Sequence, residues 1–153
     1  KKIKIDTYKT KIIKKNIKNI LIKYDIICDC SDNFATRYLL NDFCLKKKKI
    51  LISAAIRKFE AHIFNFNFSK KIACYRCFMP EIPTEENKCD TEGILPTVAG
   101  IAGTLQANEV VKSILNKKND LVGKMIVFNT LNLNFRKITL TRSNDCVKDC
   151  NKR

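Results

Sequence analysis

Apolar residues recur along the chain with two periods, and the first half of the sequence combines both. A near-continuous apolar run at residues 24–30 is typical of a buried parallel strand, and residues 50–55 form a second run of this kind. Between the two runs, the apolar residues of 34–46 have the spacing of a helix, preceded by three polar residues that favour a helix start. This order predicts a βαβ unit with a parallel pair of strands.

Outside this unit, the same periods predict further elements on both sides. We expect strands at residues 2–5 and 61–68, helices at 11–22 and 97–116, and a hairpin formed by 124–129 and 135–141. Within residues 61–68 the alternation has a period of two, which indicates a strand with one solvent-exposed face. Residues 80–92 contain two prolines and an acidic stretch, and therefore predict a mobile loop.

Length and composition fit one globular domain, residues 1–153. A hydrophobic content of 45% supplies a sizeable core, and the chain has no run of about eighteen apolar residues that would predict a membrane span. The N-terminal residues lack the apolar segment and the cleavage site of a signal peptide. Eight cysteines without a secretory signal favour metal or thiol chemistry in a reducing compartment, so we expect a cytoplasmic protein with no membrane partner.

The net charge of +15 raises the question of nucleic-acid binding. Of the thirty basic residues, twenty-four are lysine and six are arginine. Such lysines usually form a solvated surface, whereas a nucleic-acid groove more often combines arginines with interleaved aromatic residues. A basic zinc-ribbon protein is one alternative function, but the sequence shows no clustered arginine and aromatic face, so we do not expect nucleic acid as a partner.

Four cysteines lie in two clusters about seventy residues apart: Cys74 with Cys77, and Cys146 with Cys150. Thiolates two or three residues apart can both bind one tetrahedral ion, and two such pairs complete a closed site with four cysteine ligands. A closed site has no open position for water, so the zinc ion would be structural and would hold the C-terminus against the middle of the chain. The alternatives are two unrelated pairs, or disulfides.

Further motifs fall in an order that resembles a known family. They are Asp29-Cys30-Ser31-Asp32-Asn33 with Arg37, Ser53-Ala54-Ala55, Cys74-Tyr75-Arg76-Cys77, Cys89 with Gly93, and Gly103-Thr104-Leu105-Gln106-Ala107-Asn108-Glu109. From about residue 20 to the C-terminus the chain resembles the ThiF/MoeB/HesA family, bacterial relatives of ubiquitin-activating enzymes. The resemblance implies an α/β, Rossmann-like fold of the ThiF type, with a four-cysteine zinc clip and a C-terminal antiparallel hairpin.

The activity that this resemblance implies is ATP-dependent adenylation. Members of the family adenylate the C-terminal glycine of a ubiquitin-like sulfur carrier protein, in the synthesis of the thiazole of thiamine or of molybdopterin. ATP, Mg²⁺ and a structural Zn²⁺ are therefore the expected cofactors, and the carrier protein is the expected partner. Residues 80–81 and 89–93 resemble the thiazole branch, to which we give a slight preference, whereas residues 54–57 resemble the molybdopterin branch more closely.

Carried over by motif, the nucleotide site of the family falls on Asp32 and Asn33. Asp32 would hold the Mg²⁺ ion at the carboxyl end of a parallel strand, and the alternative is that Ser31 or Asp32 only caps the following helix. Arg37 would support the phosphate site, or would be a surface charge. Cys89 matches the position that forms a thioester or an acyl disulfide with the carrier in the thiamine branch, and the alternative is an inert loop cysteine.

The sequence also departs from the family pattern. It holds four glycines, from which no G-x-G-x-x-G motif can be written, so the glycine-rich turn that binds phosphates is absent from it. We interpret the chain as the second half of the family fold, truncated at its N-terminus: a fragment, a split-gene product or a degenerate copy. The alternative function is a catalytically inactive binding module that docks a carrier or a partner subunit.

Two further expectations concern packing. The small residues of the predicted helix at 97–116 allow close approach, either to a second copy, since the family forms symmetric dimers, or to the helix's own sheet. A complementing N-terminal polypeptide is the other expected partner, because it would supply the missing half. Cys28, Cys30 and Cys44 fall on a strand or a helix and are expected to be small core residues.

Overall fold

The computed structural model describes residues 2–81, 93–144 and 146. The helices within them are α1 (Ile17–Leu21), α2 (Phe34–Lys47), α3 (Tyr75–Phe78) and α4 (Pro96–Ile114). The strands are β1 (Ile26–Asp29), β2 (Ile50–Arg57), β3 (Glu60–Asn67), β4 (Lys124–Asn129) and β5 (Asn134–Thr139). In this part of the chain, no helix is long and apolar enough to cross a membrane.

The five strands form one sheet in the order β1-β2-β3-β4-β5. β1 and β2 run parallel, with Ile26 opposite Ile50 and Asp29 opposite Ser53, and α2 connects them. The other three neighbouring pairs are antiparallel. The predicted βαβ unit and the C-terminal hairpin are therefore confirmed, and the fold is of the α/β class. Because β1 and β2 are parallel neighbours, their carboxyl ends meet at one edge of the sheet.

Helices cover both faces of the sheet, so its central strands are buried on two sides. On one face, α2 and α3 pack against a core that includes Leu51, Phe64 and Phe66. On the other face, α4 packs through Val98 and Ala102 into a second, smaller core. The two cores leave the carboxyl ends of β1 and β2 between α2 and α4, which both contribute side chains there.

The alternation of phenylalanine and asparagine in β3 does not separate a buried face from an exposed one. Phe64 and Phe66 lie in the core on the α2 side, while Asn65 is 1% exposed on the α4 side. Asn65 Nδ2 donates to Glu109 Oε2 of α4 at 3.0 Å. The predicted solvent-exposed face of β3 is therefore wrong, because a helix covers that face and supplies the polar partner.

The strand predicted at residues 2–5 is wrong. These residues have no regular structure, and Ile3 and Ile5 are 86% and 80% exposed. In the described sheet no strand pairs with them. Alternating residues form a stable strand only where a neighbouring strand takes up their backbone hydrogen bonds, and this segment has no such neighbour.

The helix predicted over 11–22 is shortened to α1. Asn16 Oδ1 accepts the Ile13 amide at 2.9 Å, a local bond that competes with helical hydrogen bonds upstream of α1. Beyond that turn, Ile17 and Ile20 are buried. Burial of these two side chains stabilises the short helix. The described lysines that precede it are exposed and bury no comparable apolar surface.

Candidate functional site

The carboxyl end of β1 carries a buried carboxylate, Asp29, which is 1% exposed. Asp29 Oδ1 accepts hydrogen bonds from the Ser31 amide at 2.9 Å and from the Ser31 hydroxyl at 2.6 Å. Asp29 Oδ2 accepts from Ser53 Oγ at 2.7 Å and lies 3.4 Å from Arg37 Nη1. A charged group is buried at tolerable cost only when it is paired and hydrogen-bonded, and these contacts meet that requirement.

Arg37 is buried as well, with 7% of its surface exposed. Besides its contact with Asp29, its Nη1 donates to Ala54 O at 2.8 Å and to Ser53 Oγ at 3.2 Å. Its Nη2 donates to Ser31 O. The alternative that Arg37 is a surface charge is therefore wrong, because its guanidinium lies inside and joins the carboxyl end of β1 to the middle of β2. Its support of a phosphate site stays a prediction.

Gln106 of α4 holds the carboxyl end of β1 and the neighbouring part of β2 from the other face of the sheet. Its Nε2 donates to Asp29 O at 3.0 Å and to Ile52 O at 2.8 Å. Cys30 Sγ lies 3.2 Å from Gln106 Oε1 and donates to it. Sequence reasoning placed Gln106 in a family motif but gave it no role. The available signal was a glutamine at helical spacing from Val98 and Ala102, on the apolar side of the helix.

The turn between β1 and α2 exposes Asp32. Asn33 is the N-cap of α2, and its Oδ1 accepts the Thr36 amide at 2.9 Å. The alternative that Ser31 or Asp32 caps this helix is therefore wrong. Asn33 Nδ2 donates to Asp32 Oδ1 at 3.1 Å, and this bond, with a backbone contribution, holds the pKa of the Asp32 carboxyl below its usual value. Asp32 is thus ionised at neutral pH and accessible to a cation.

α2 also holds the first cysteine pair through a buried asparagine. Asn41 is 0% exposed, and its Oδ1 accepts the Tyr75 amide at 2.9 Å. Tyr75 follows Cys74 directly, so this bond fixes the backbone at the first of the cysteines. Sequence reasoning missed Asn41, although an asparagine among the apolar positions of a helix was a signal for it.

We expect Asn41→Ala to lower the free energy of unfolding by about 2 kcal/mol. The change leaves the buried Tyr75 amide without its acceptor and opens a small cavity. Urea denaturation at equilibrium measures the loss. The exposed Asn19→Ala variant is the control and should change stability by no more than about 0.5 kcal/mol. Equal stability of the two variants would contradict the role of Asn41.

A second contact from α2 lies one residue further along. Asp42 forms a two-point ion pair with Arg76, at 2.9 Å from Nε and 2.8 Å from Nη2. The Arg76 guanidinium also lies over the Tyr38 ring, 4.4 Å from its centroid. Tyr38 Oη is 2.7 Å from Met79 O, so the segment after the first cysteine pair is also held against α2. One helix therefore connects residues 30–33, here called the Asp32 turn, to the cysteines.

Three of the four predicted zinc ligands lie together: the sulfurs of Cys74, Cys77 and Cys146 are all within 4.8 Å of one another. Cys74 Sγ lies 3.9 Å from Cys77 Sγ and 3.3 Å from Cys146 Sγ. Sulfurs bound tetrahedrally to zinc at about 2.3 Å would be about 3.8 Å apart, so these separations suit a shared ion. They are too long for a sulfur–sulfur bond of about 2.05 Å, and no disulfide joins the described cysteines.

Local structure favours the thiolate form of Cys77. Burial raises the pKa of the Cys77 thiol, but hydrogen bonds with the backbone of Cys74 and Ser143 and with the neighbouring thiols outweigh burial, so the pKa lies below its usual value. The Cys146 amide donates to Ser143 Oγ at 3.0 Å, which fixes the approach of the distant cysteine. Zinc binds thiolates, so the donor set fits the ion.

Two predicted site residues lie outside the described part of the chain. They are Cys150, the predicted fourth zinc ligand, and Cys89, the predicted attachment point of the carrier. Most of the loop predicted at 80–92 also lies outside it. Both cysteine assignments therefore stay predictions.

The three remaining described cysteines divide into two kinds. Cys44 is 0% exposed in α2, and burial raises the pKa of its thiol to about 12, as expected of a core residue. Cys28 and Cys30 are exposed, so their predicted core positions are wrong. β1 is an outer strand of the described sheet, and α4 packs mainly over β2 and β3, so it does not cover the β1 side chains.

The family follows from comparison with known proteins. The ThiF family profile matches residues 1–150, and the chain therefore belongs to the ThiF family. The match extends upstream of residue 20, so the N-terminal residues share the family relationship. A five-stranded α/β sheet with a cysteine cluster in the core on its α2 face agrees with this assignment.

Curated relatives are adenylyltransferases by name. The chain is 37% identical over 141 residues to the adenylyltransferase and sulfurtransferase MOCS3 of Dictyostelium discoideum, covering 90% of the chain and 33% of the relative. It is 41% identical over 139 residues to a probable molybdopterin-synthase adenylyltransferase of Pyropia yezoensis, covering 89% of the chain and 36% of the relative. The chain thus spans about a third of the length of these relatives.

Solved structures of E. coli MccB share the fold. The structure of MccB with ATP superposes with a TM-score of 0.69 at 19% identity, covering 88% of the chain and 42% of MccB. The structure of MccB with selenomethionyl MccA gives a TM-score of 0.69 at 18% identity, covering 90% of the chain and 42% of MccB. At this identity the likeness shows the fold alone.

Proposed function

We propose that the chain takes part in the ATP-dependent adenylation of the C-terminal glycine of a ubiquitin-like sulfur carrier protein. The observation that carries the proposal is the Asp32 turn, an exposed and ionised carboxylate where the carboxyl ends of β1 and β2 meet. Open α/β sheets bind their ligands outside the carboxyl ends of their strands. Membership of the ThiF family and the names of the relatives support the same activity.

In this proposal Asp32 and Asn33 lie at the phosphates of ATP. Mg²⁺ in nucleotide sites is bound by one or two carboxylates together with phosphate oxygens, so a single exposed carboxylate fits the ion. Bound there, Mg²⁺ would screen the triphosphate from the negative charge of the attacking carboxylate. Asn33 would fix the orientation of Asp32 through the bond from its Nδ2, while its own Oδ1 is held by the helix cap.

The cysteine cluster would hold one structural Zn²⁺, with Cys150 as the fourth ligand. The bound ion would fix the segment around Cys74 against α2. This segment leads into the loop predicted at residues 80–92, which bears Cys89. Cys89 would form the covalent link to the carrier. The names of the curated relatives favour the molybdopterin branch over the thiazole branch.

ATP–pyrophosphate exchange tests the function. The chain spans about a third of its relatives, so the assay includes a complementing N-terminal half from a family member together with the carrier. We expect exchange that depends on the carrier's C-terminal glycine, and a carrier without that glycine is the control. Carrier binding without exchange, by a folded and zinc-loaded chain, would instead support the alternative function, an inactive binding module.

The outer face of α4 supports a protein partner, either a second copy or the complementing polypeptide. The helix packs on its own sheet through Val98, Ala102 and Gln106. Its small residues Gly100 and Gly103 instead face outward, where an added Cβ would meet nothing within 4 Å. The outer face also carries no charge, since the two charged residues of α4 pair with each other at its inner side. β1 offers a second such surface, an outer strand of the described sheet.

We expect the chain by itself to bind Mg-ATP only with a dissociation constant of about 1 mM or weaker. A glycine-rich turn at a helix N-terminus normally supplies most phosphate contacts, and the sequence contains no such turn. Isothermal titration of the pure chain measures the affinity. Micromolar binding would show that the remaining residues build a complete site.

We also expect the isolated chain to self-associate, because an outer strand and an uncharged helix face are left uncovered. Light scattering over a range of concentrations measures the mass. A monodisperse monomer would contradict the partner surfaces inferred for α4 and β1.

A further inference from the structure

We propose that Arg37 is a positioning residue that holds the Asp32 turn in its binding geometry and does not itself contact the nucleotide. The inference rests on the proposed function, because it concerns how Asp32 is presented to Mg-ATP. In the sequence Arg37 lies one helical turn beyond Asn33, and this position alone does not show what its side chain does. The family motif marks the residue but does not state what its guanidinium touches.

The guanidinium of Arg37 is directed into the protein and away from the ligand side of the turn. An arginine that binds phosphate presents its N–H groups to solvent or to the ligand. Arg37 is 7% exposed, and three different acceptors on Nη1, from Asp29, Ser53 and Ala54, occupy that nitrogen. Its Nη2 donates to the Ser31 carbonyl. These donors are therefore directed into the protein, toward the carboxyl end of β1 and the middle of β2.

The bonds from Arg37 fix the short segment that leads to Asp32. The Ser31 carbonyl belongs to the peptide that joins Ser31 to Asp32, so the bond from Nη2 sets the position of the residue that carries the functional carboxylate. From the other side, the Ser31 amide and hydroxyl both bind Asp29 Oδ1. Arg37 thus holds this short segment twice: directly through the Ser31 carbonyl, and indirectly through Asp29.

Arg37 also balances the buried negative charge of Asp29. Asp29 is buried, so without Arg37 it would be left as an uncompensated carboxylate a few residues from Asp32. The pair keeps the interior of the turn electrically balanced, and the exposed carboxylate of Asp32 then provides the charge that faces the ligand. The two aspartates of this segment therefore differ in role, one buried and paired with Arg37, the other exposed.

The test compares Arg37→Lys with the wild-type chain in two measurements. Lysine keeps the positive charge but cannot make the separate bonds from two nitrogens. The first measurement is hydrogen exchange of the Ser31 amide by NMR, since that amide is bonded to Asp29. The second is the affinity for Mg-ATP from the chemical shifts of the Asp32 and Asn33 amides, at nucleotide concentrations high enough to resolve a ten-fold loss from the expected dissociation constant of about 1 mM or weaker.

We expect Arg37→Lys to speed exchange of the Ser31 amide about ten-fold and to weaken Mg-ATP about ten-fold, as for the loss of a hydrogen bond to a charged group. Weaker Mg-ATP binding with unchanged Ser31 exchange would assign Arg37 to direct contact with the phosphates and overturn the inference. Unchanged Mg-ATP affinity would overturn it too, whatever happens to the amide.

Two further variants keep the test decisive. Ser53→Ala removes one hydroxyl from the same network and should move both measurements in the same direction by about three-fold, so it replaces Arg37→Lys if that variant does not fold. Leu40→Ala removes a buried α2 side chain that takes no part in the network, and controls for general loss of stability. It should leave both measurements unchanged.

Asp32→Asn separates this inference from the proposed function. If Asp32→Asn leaves the affinity for Mg-ATP unchanged, the nucleotide role of the turn is wrong, and the proposed function fails with it. If Asp32→Asn weakens Mg-ATP but Arg37→Lys and Ser53→Ala do not, the nucleotide role stands and only the positioning role of Arg37 is wrong.

Discussion

Cys74→Ser should lower the free energy of unfolding by roughly 5 kcal/mol and abolish zinc binding. Cys74 contributes a sulfur to a cluster whose separations suit a tetrahedral ion, and binding energy at a closed site is folding energy. A loss of this size is comparable with the whole stability of a small domain, so we expect the variant to be largely unfolded at 25 °C. Circular dichroism and metal analysis of the purified protein measure both effects.

The wild-type chain should contain one zinc ion with four sulfur ligands at about 2.3 Å, as measured by X-ray absorption. Zinc should be lost on acidification, because protons compete for the thiolates. Cys44→Ala is the matched control, since Cys44 is buried in the same core but is not part of the cluster. This variant should keep its zinc, and its free energy of unfolding should fall by about 1 kcal/mol. Freshly purified protein without zinc would contradict the site.

Cys150→Ser tests the ligand that lies outside the described residues. We expect the same loss as for Cys74→Ser, because three thiolates alone leave the tetrahedral site open. If Cys150→Ser keeps its zinc and its stability, the fourth ligand is another group, while the three clustered sulfurs still define the site.

Asp32→Ala should reduce pyrophosphate exchange in the complemented system at least about 100-fold, while the melting temperature stays within about 2 °C of the wild type. The large loss is expected because Asp32 would be the carboxylate that holds the metal at the phosphates. Stability should be nearly unchanged because Asp32 is exposed and the cap of α2 is made by Asn33 instead. Exchange assays and thermal melts of the same preparations measure the two effects.

Two other aspartates serve as controls for this prediction. Asp120→Ala changes an exposed aspartate in the connection between α4 and β4, outside the turn that carries Asp32, and should alter neither exchange nor melting. Asp29→Ala, unlike Asp32→Ala, should lower the free energy of unfolding by about 3–5 kcal/mol, because it leaves the buried guanidinium of Arg37 without its charged partner. Full exchange by Asp32→Ala would remove Asp32 from the proposed reaction.

The sequence was most informative where the structure depends on local periodicity and on spacing. The βαβ unit and the hairpin are confirmed because each is specified by the residues within it and the turns that join them. The cysteine spacing predicted a shared site, and three of the sulfurs do lie together although Cys146 is 72 residues from Cys74. Two cysteines at such a short spacing can bind one ion together, so each pair supplies two ligands wherever the fold places it.

The tertiary structure alone decided how the polar residues of the site divide their roles. The sequence placed the nucleotide role on Asp32 but did not show that Asp29 is buried. Asp29 is buried because Arg37 and Ser53 pair with it, and Asp32 is left exposed. Gln106 reaches Cys30 and Asp29 from a helix more than 70 residues away. The burial and the pairing of a residue depend on which distant elements pack beside it. The periodicity of its own segment does not show which elements these are.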